Sequence, residues 1–229
     1  MQNENAIRVH DQDAAAYDGY VTDYGSHAHD VLFGLCYEFV HPGDSLLDLG
    51  IGTGLSSLPF ARLGLSVTGV DGSAAMLAVC AGKSLARELL CRDLADLPLP
   101  YADAAFDHAT ACGVFHFFDN LGPLFAEVSR LLRGGGFFAF TVADERVTSP
   151  DKAEQVGFDA ASGVGMYAHS GIYVRYLLQH HSFTLRKLQH FYAHSLEHHQ
   201  APLLLGGYVV EKERGDADAG SVVGAGEGF

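Results

Sequence analysis

Tryptophan is missing from this chain of 229 residues, cysteine occurs four times, and basic side chains number 14 against 28 acidic ones. The shortage of positive charge leaves a formal net charge of −14, which repels a phosphate backbone, and no run of the sequence gathers enough Lys or Arg to offset it. A nucleic-acid partner is therefore not expected, and small molecules or uncharged partners fit better. Cys36, Cys80, Cys91 and Cys112 form no C-x-x-C pair and follow no apolar signal segment, which points to a reducing, cytoplasmic setting. No apolar run approaches the roughly 18 residues that cross a bilayer, so no membrane span is expected. With 48% hydrophobic residues the chain has enough to bury for one core without a disulfide or metal staple.

The hydrophobic pattern divides the chain into a cap, a main domain and a tail. Residues 1–40 read as an N-terminal helical cap: ten polar, irregular residues, a helix from Asp11 to Tyr24 with Tyr17, Tyr20 and Tyr24 on one face, and a second helix from His27 to Val40. Pro42-Gly43 ends that run. Strand-like segments Ser45 to Leu49, Ser66 to Val70, Glu88 to Cys91, Phe106 to Cys112 and Phe137 to Val142 then alternate with helical ones, among them Gly54 to Leu63, Ser73 to Ala81 and Leu121 to Leu132. Such alternation implies right-handed crossovers and an α/β fold, with a mostly parallel sheet between two helical layers. Residues 144–170 are expected to be an insertion or lid, followed by a helix from Gly171 to His180. Phe183 to Phe191 and Leu203 to Glu211 read as an antiparallel pair at the sheet edge, closing a domain at 41–213. Arg214 to Phe229, rich in Gly, Ala and Asp, is expected to be a disordered tail.

The most informative stretch is Leu47-Asp48-Leu49-Gly50-Ile51-Gly52-Thr53-Gly54-Leu55, an apolar strand running into glycines and then a helix. Glycine is needed where a backbone turns tightly and approaches a ligand, and the helix start offers unpaired N–H groups. A dinucleotide fingerprint requires glycine where Leu55 stands, so pyrophosphate binding loses support. Asp71 ends the second strand, where a carboxylate can accept both hydroxyls of a ribose, and Asp93 follows the third. With Asp48, three carboxylates thus fall at the carboxyl edge of the sheet, where open α/β sheets bind ligands.

These motifs resemble those of the class I S-adenosylmethionine-dependent methyltransferases, type 11 family, over residues 12–212. Leu47-Asp48-Leu49-Gly50-Ile51-Gly52-Thr53-Gly54 is similar to the family's first motif and Val70-Asp71-Gly72-Ser73 to its ribose-binding segment. Phe106-Asp107-His108 and Gly113-Val114-Phe115-His116 resemble the fourth-strand motif, and Leu132-Arg133-Gly134-Gly135 the turn before strand five, with Arg where the family usually has Pro. The resemblance implies a three-layer Rossmann-like methyltransferase fold with S-adenosylmethionine as cofactor and a small-molecule methyl acceptor. It assigns Gly50, Gly52 and Gly54 to the loop at the methionine end, Asp71 to the ribose, Gly72 and Met76 to adenine, and Asp93 and Leu94 to its amino edge. Asp48 would fix the loop from behind, and Tyr17 and Cys112 complete the expected cofactor set.

For the chemistry, a general base matters if the acceptor is a hydroxyl and less if it is a thiol or a neutral amine. His116 follows the fourth strand and His169 comes from a segment expected to cover the site, so these two are the catalytic candidates. Seven of the 13 histidines lie beyond Ala168, but His190, His194 and His198 fall on a strand-and-loop pattern, where four-residue spacing is not ligand geometry, and no metal is expected. A second reading is a non-catalytic cofactor-binding or dimerising module, distinguished from an enzyme by a filled acceptor cavity.

Overall fold

The computed structural model describes residues 2–143, 154–159, 164–193 and 203–215. Five strands, β1 (Ser45–Leu49), β2 (Ser66–Asp71), β3 (Glu88–Cys91), β4 (Phe106–Ala111) and β5 (Leu132–Ala143), lie parallel in the order β3-β2-β1-β4-β5. The direction of winding reverses between β1 and β4, which opens a crevice at their carboxyl ends. Period-two alternation sends Leu47 and Leu49 of β1, with Phe138 and Phe140 of β5, into one core cluster. Leu46 and Ala139 join the cluster on the opposite face. The first face is covered by α6 (Gly122–Leu131) and α7 (Gly171–His180), which bring Phe125, Val128, Val174 and Leu177. The second is covered by α3 (Ala28–Cys36), α4 (Leu58–Leu63) and α5 (Ala74–Gly82), through Leu32, Phe60, Leu77 and Cys80. Serine hydroxyls start two of these helices: Ser73 Oγ accepts from Met76 N at 3.1 Å and Ser170 Oγ from Tyr173 N at 3.0 Å.

Two strands complete the far side. β9 (Leu204–Lys212) runs antiparallel to β5 from Phe137↔Glu211 to Ala143↔Leu205, and β8 (Phe183–Tyr192) pairs with β9 at the edge. The expected antiparallel edge pair is therefore present. Arg133, standing where the resembled family has proline, ties the start of β5 to β4: its guanidinium bonds Asp107 and donates to Ala105 O at 3.0 Å. Gly136 is required beside it, because a Cβ there would lie 2.2 Å from Asp107 O. No helix among the described residues is long and apolar enough to cross a membrane.

The N-terminal region departs from its sequence reading. In place of an irregular start and one helix, α1 (Gln2–Asp13) and α2 (Tyr17–Asp23) form two helices separated by a turn. A polar segment with little apolar period is stabilised by docking rather than by propensity, and Ala6 and Ala14 are its buried contacts. The expected aromatic face also breaks up, since Tyr20 and Tyr24 remain 46% and 49% exposed. Within the expected insertion, β6 (Glu154–Asp159) and β7 (Val164–Ala168) form an antiparallel hairpin that meets β5 at Ala143↔Ala168. Residues 144–153 and 160–163 of that stretch, the tail from 216 onward, and His194 and His198 lie outside the described residues.

Candidate functional site

The loop after β1 is shaped by glycines in the left-handed region, Gly50 at φ +73°, Gly52 at +55° and Gly54 at +86°. The three have different neighbours. A Cβ on Gly50 would lie 2.4 Å from Val114 Cγ2, and one on Gly54 would lie 2.8 Å from Cys80 Sγ, so these two are consumed by packing. A Cβ on Gly52 would meet nothing within 4 Å. That open face lines a cavity with about 1020 Å³ of unfilled space, including its mouth, at the carboxyl edge of the sheet.

Asp71, at the end of β2, carries its carboxylate across the floor. One oxygen accepts from Gly52 N at 2.8 Å and the other from Ser73 N at 2.8 Å. Each oxygen keeps lone-pair capacity for a further donor. Burial lifts the Asp71 carboxyl above its ordinary value, while the two backbone donors and nearby His10 act in the opposite direction. Met76 and Leu94 supply apolar walls, and Asp93 lies at the rim, bonded to Ala95 N at 2.8 Å. Gly72 also lines the cavity, but Ile7 of α1 covers it: a Cβ there would lie 2.5 Å from Ile7 Cδ1.

Asp48 stands behind this floor. It is fully buried, one oxygen accepts from Ser57 Oγ at 2.6 Å and Ser56 Oγ at 2.8 Å, and the other has no partner. Burial pushes its carboxyl up to about 7, against the pull of the two serine hydroxyls. The residue therefore clamps the end of the glycine loop without reaching the cavity.

The N-terminal helices form the opposite wall. Asp18 of α2 accepts from Thr53 Oγ1 at 2.7 Å and pairs with Lys83 at 2.5 Å. Burial would raise the Asp18 carboxyl, but those two partners more than offset it and hold it below the usual carboxylate range. Asp11 of α1 accepts from Ser73 Oγ at 2.6 Å and from Ala75 N at 3.1 Å, docking α1 on the start of α5. Tyr17 and His10 then face inward, and burial lifts the Tyr17 hydroxyl above its ordinary value. Of the three tyrosines on the expected aromatic face, only Tyr17 lines the cavity. Cys112, after β4, lines it as well, its thiol pushed up to about 12 by burial and by Asp48.

The two histidines proposed from sequence are not brought into this wall. His116 sits half-buried in a short turn, Phe115–Phe117, packed on Phe117 with ring centres 4.1 Å apart, and it is not among the lining residues. Burial, with His10 and His169 adding to it, pushes its imidazole down to about 4. His169 is fully buried, bonded through Nε2 to Phe115 O at 3.1 Å and stacked on Tyr173. It braces the same turn from behind, and Phe117 and Phe118 face the cavity instead. Sequence reasoning also passed over Ile7, His10 and His29, all of which line the cavity. His10 lay in a segment with no apolar period to mark it as structured. Among the described residues no group of three or more His, Cys, Asp or Glu is arranged to hold a metal ion.

Residues 47–140 match the family profile described as a methyltransferase domain. The chain is 37% identical over 101 residues to a malonyl-[acyl-carrier protein] O-methyltransferase of Serratia marcescens, covering 44% of this chain and 39% of that protein. It is 38% identical over 96 residues to a demethylmenaquinone methyltransferase of Corynebacterium kroppenstedtii, covering 42% of this chain and 40% of that one. It thus spans about two-fifths of these curated relatives. Among solved structures, the fold matches a Burkholderia thailandensis 1,6-didemethyltoxoflavin-N1-methyltransferase with bound 1,6-didemethyltoxoflavin and S-adenosylhomocysteine, at TM-score 0.68 and 20% identity over 93% of this chain and 91% of that one. A [4+2]-cyclase shares it at TM-score 0.63 and 19% identity, over 82% and 80% of the two chains.

Proposed function

We propose that this chain, whose residues 47–140 match a methyltransferase-domain profile, is a class I S-adenosylmethionine-dependent methyltransferase of the type 11 family and transfers a methyl group to a small-molecule acceptor. The observation that carries this reading is the convergence of Asp71, the open face of Gly52 and the apolar pair Met76 and Leu94 on one cavity at the point where the strand order reverses. When bound, S-adenosylmethionine supplies a methyl group on a positively charged sulfur, open to in-line displacement.

The cavity fits such a group. Asp71 has lone pairs for the two ribose hydroxyls, and Met76 and Leu94, with Ile7 closing over Gly72, give adenine an apolar slot. Asp93 stands at the rim for its amino edge, and the Gly50 to Gly52 turn leaves room at the amino-acid end. Tyr17 and Cys112 lie on the way to the acceptor wall, where the ring face of Tyr17 attracts positive charge. The helices α1 and α2 bring Ile7, His10 and Tyr17 to one side of the cavity.

A filled acceptor cavity would favour a non-catalytic cofactor-binding module, and binding of the sulfur compounds with no methyl transfer to any acceptor would point the same way. The test is calorimetry and melting with S-adenosylhomocysteine, S-adenosylmethionine and NADH. The two sulfur compounds should bind and raise Tm by mass action, and NADH should do neither. Saturable NADH binding with no heat from the sulfur compounds would overturn the reading.

A further inference from the structure

Three side chains of α1 bear on the loop that follows β2. Ile7, His10 and Asp11 have the three- and four-residue spacing that brings helix side chains onto one face. Ile7 covers Gly72, where a Cβ would lie 2.5 Å from Ile7 Cδ1 and 2.8 Å from its Cγ1. Asp11 accepts from Ser73 Oγ at 2.6 Å and from Ala75 N at 3.1 Å. His10 stands between these two contacts on the helix, and the loop residue beside them is Asp71, whose Oδ1 accepts from Ser73 N at 2.8 Å. His10, Asp71 and Gly72 line the same cavity, and His10 is near enough to draw the Asp71 carboxyl down against the effect of burial.

The imidazole of His10 is fixed by its neighbours. It lies edge-on to Phe117 at 5.4 Å between ring centres and 6.2 Å from the Tyr17 ring. Its Nδ1 is 2.7 Å from Ala6 O, one turn back on α1. A carbonyl can only accept, so Nδ1 carries the proton, and in the neutral ring Nε2 is left with its lone pair. A carboxylate and an imidazole lone pair in one corner of the cavity suit a ligand that brings two hydroxyl donors close together, which the vicinal diol of a ribose does.

Resting on the methyl-transfer reading above, we infer that His10 is a further cofactor-binding residue: its Nε2 accepts from one of the two ribose hydroxyls of S-adenosylmethionine while Asp71 accepts from the other. The two acceptors come from different walls of the cavity, one from the end of β2 and one from α1. The ribose therefore joins the walls, and α1 is part of the cofactor site as well as its cover. A site built this way rejects a ribose lacking the hydroxyl, because the Nε2 lone pair is then left without a donor.

The experiment measures Kd by calorimetry on the whole chain for S-adenosylhomocysteine and its 2′-deoxy and 3′-deoxy analogues, in wild type and in His10→Phe, which keeps a ring against Phe117 and removes both nitrogens. S-adenosylhomocysteine should bind His10→Phe about three- to tenfold more weakly, the scale of one neutral hydrogen bond. For the analogue lacking the hydroxyl that His10 holds, the same substitution should change Kd by less than about twofold, since the bond is already gone. Equal loss for all three ligands would make His10 a packing residue, and no loss for any would separate it from the ligand; either result overturns the inference. If the variant misfolds, the unaltered protein decides. The nitrogen-15 resonance of His10 Nε2 should move when S-adenosylhomocysteine is added and stay when one of the deoxy analogues is added. No movement, or the same movement with both analogues, overturns the inference. Failure of the wild type to bind S-adenosylhomocysteine at all would overturn the methyl-transfer reading and this inference with it, whereas intact binding indifferent to His10 overturns this inference alone.

Discussion

The two walls of the cavity are built on different principles. The sheet-side wall is made by backbone: three glycines at positive φ, the end of β2 and the start of α5, all within 30 residues of one another. The opposite wall is made by side chains on α1, α2 and the turn after β4, which lie far apart in the chain and meet only because Asp11 and Asp18 fasten the helices to Ser73 and Thr53. A wall of backbone is specified by a few residues that cannot be exchanged. A wall of side chains can be rebuilt without disturbing the fold, and on the proposed methyl-transfer reading substrate choice would reside there.

The sharpest test of this contrast lies within the glycine loop itself. Gly50→Val should cost the most, because the added carbon collides with Val114 and the left-handed φ is strained, together on the order of 3 kcal/mol or more. Thermal melting should show a large loss or no folded protein. Gly52→Ala should cost only about 1 kcal/mol of stability for its φ, yet should abolish measurable S-adenosylhomocysteine binding, because its methyl enters open cavity space. If the two variants lost stability equally, Gly52 would be a structural glycine like Gly50 and the backbone wall would not be shaped for a ligand.

Asp48 and Asp71 divide the same wall into support and contact. The Asp48 carboxyl is raised to about 7 by burial, so its protonated form is favoured in the folded state. The stability it contributes is fully present below its unfolded value near 3.9 and is lost as pH rises through about 7. Asp48→Asn, neutral throughout, should therefore gain stability relative to wild type between about pH 4 and 7, by on the order of a few kcal/mol at the upper end. Denaturant melts across that range read the difference. A constant difference would mean Asp48 is charged at all these pH values. Asp71→Asn should instead weaken S-adenosylhomocysteine binding by about 1.5 to 3 kcal/mol, the loss of charge-assisted hydrogen bonds. Unchanged affinity by calorimetry would place the ribose elsewhere.

The histidine at the turn tests the other wall. Because burial pushes His116 down to about 4, it is neutral at any pH above 5. His116→Ala should leave the pH dependence of turnover above pH 5 unchanged and lower its rate by less than about tenfold. A limb near pH 6.5 that vanished in this variant would return His116 to the role of base.

The unequal legibility of the two walls has a physical cause. β1, β3 and α7 appear with the boundaries read from sequence, because buried parallel strands and a Ser-capped amphipathic helix leave local signals. Asp48, Gly52 and Asp71 are legible in the same way, each lying near a strand end whose position a short apolar run defines. His10 was missed because α1 is polar and owes its helix to docking, which no local pattern encodes. His116 and His169 are candidates from sequence because one follows β4 and the other lies in a segment expected to cover the site. The turn instead points Phe117 and Phe118 inward and uses both histidines as packing. Sequence nearness gives the position of a backbone, and a tight turn decides which side chain faces the ligand.

The smallest effect expected is also the one that shows whether the second wall is held on independently. Asp11 is exposed and its carboxylate accepts two hydrogen bonds at the start of α5, from the Ser73 hydroxyl and the Ala75 amide. A solvent-exposed anchor of this kind contributes about 1 kcal/mol, so Asp11→Ala should lower Tm only slightly. Its effect should fall on one element. Hydrogen exchange at the amides of α1 should quicken by about fivefold, the equivalent of that free energy, while β1 and β4 keep their protection. The open state of α1 takes Ile7 off Gly72 and His10 off Phe117 together, yet ligand affinity should change little, because the closed form still predominates. Exchange that quickened equally in α1 and the central strands would show one cooperative unit, and the division between a fixed wall and a replaceable one would not hold.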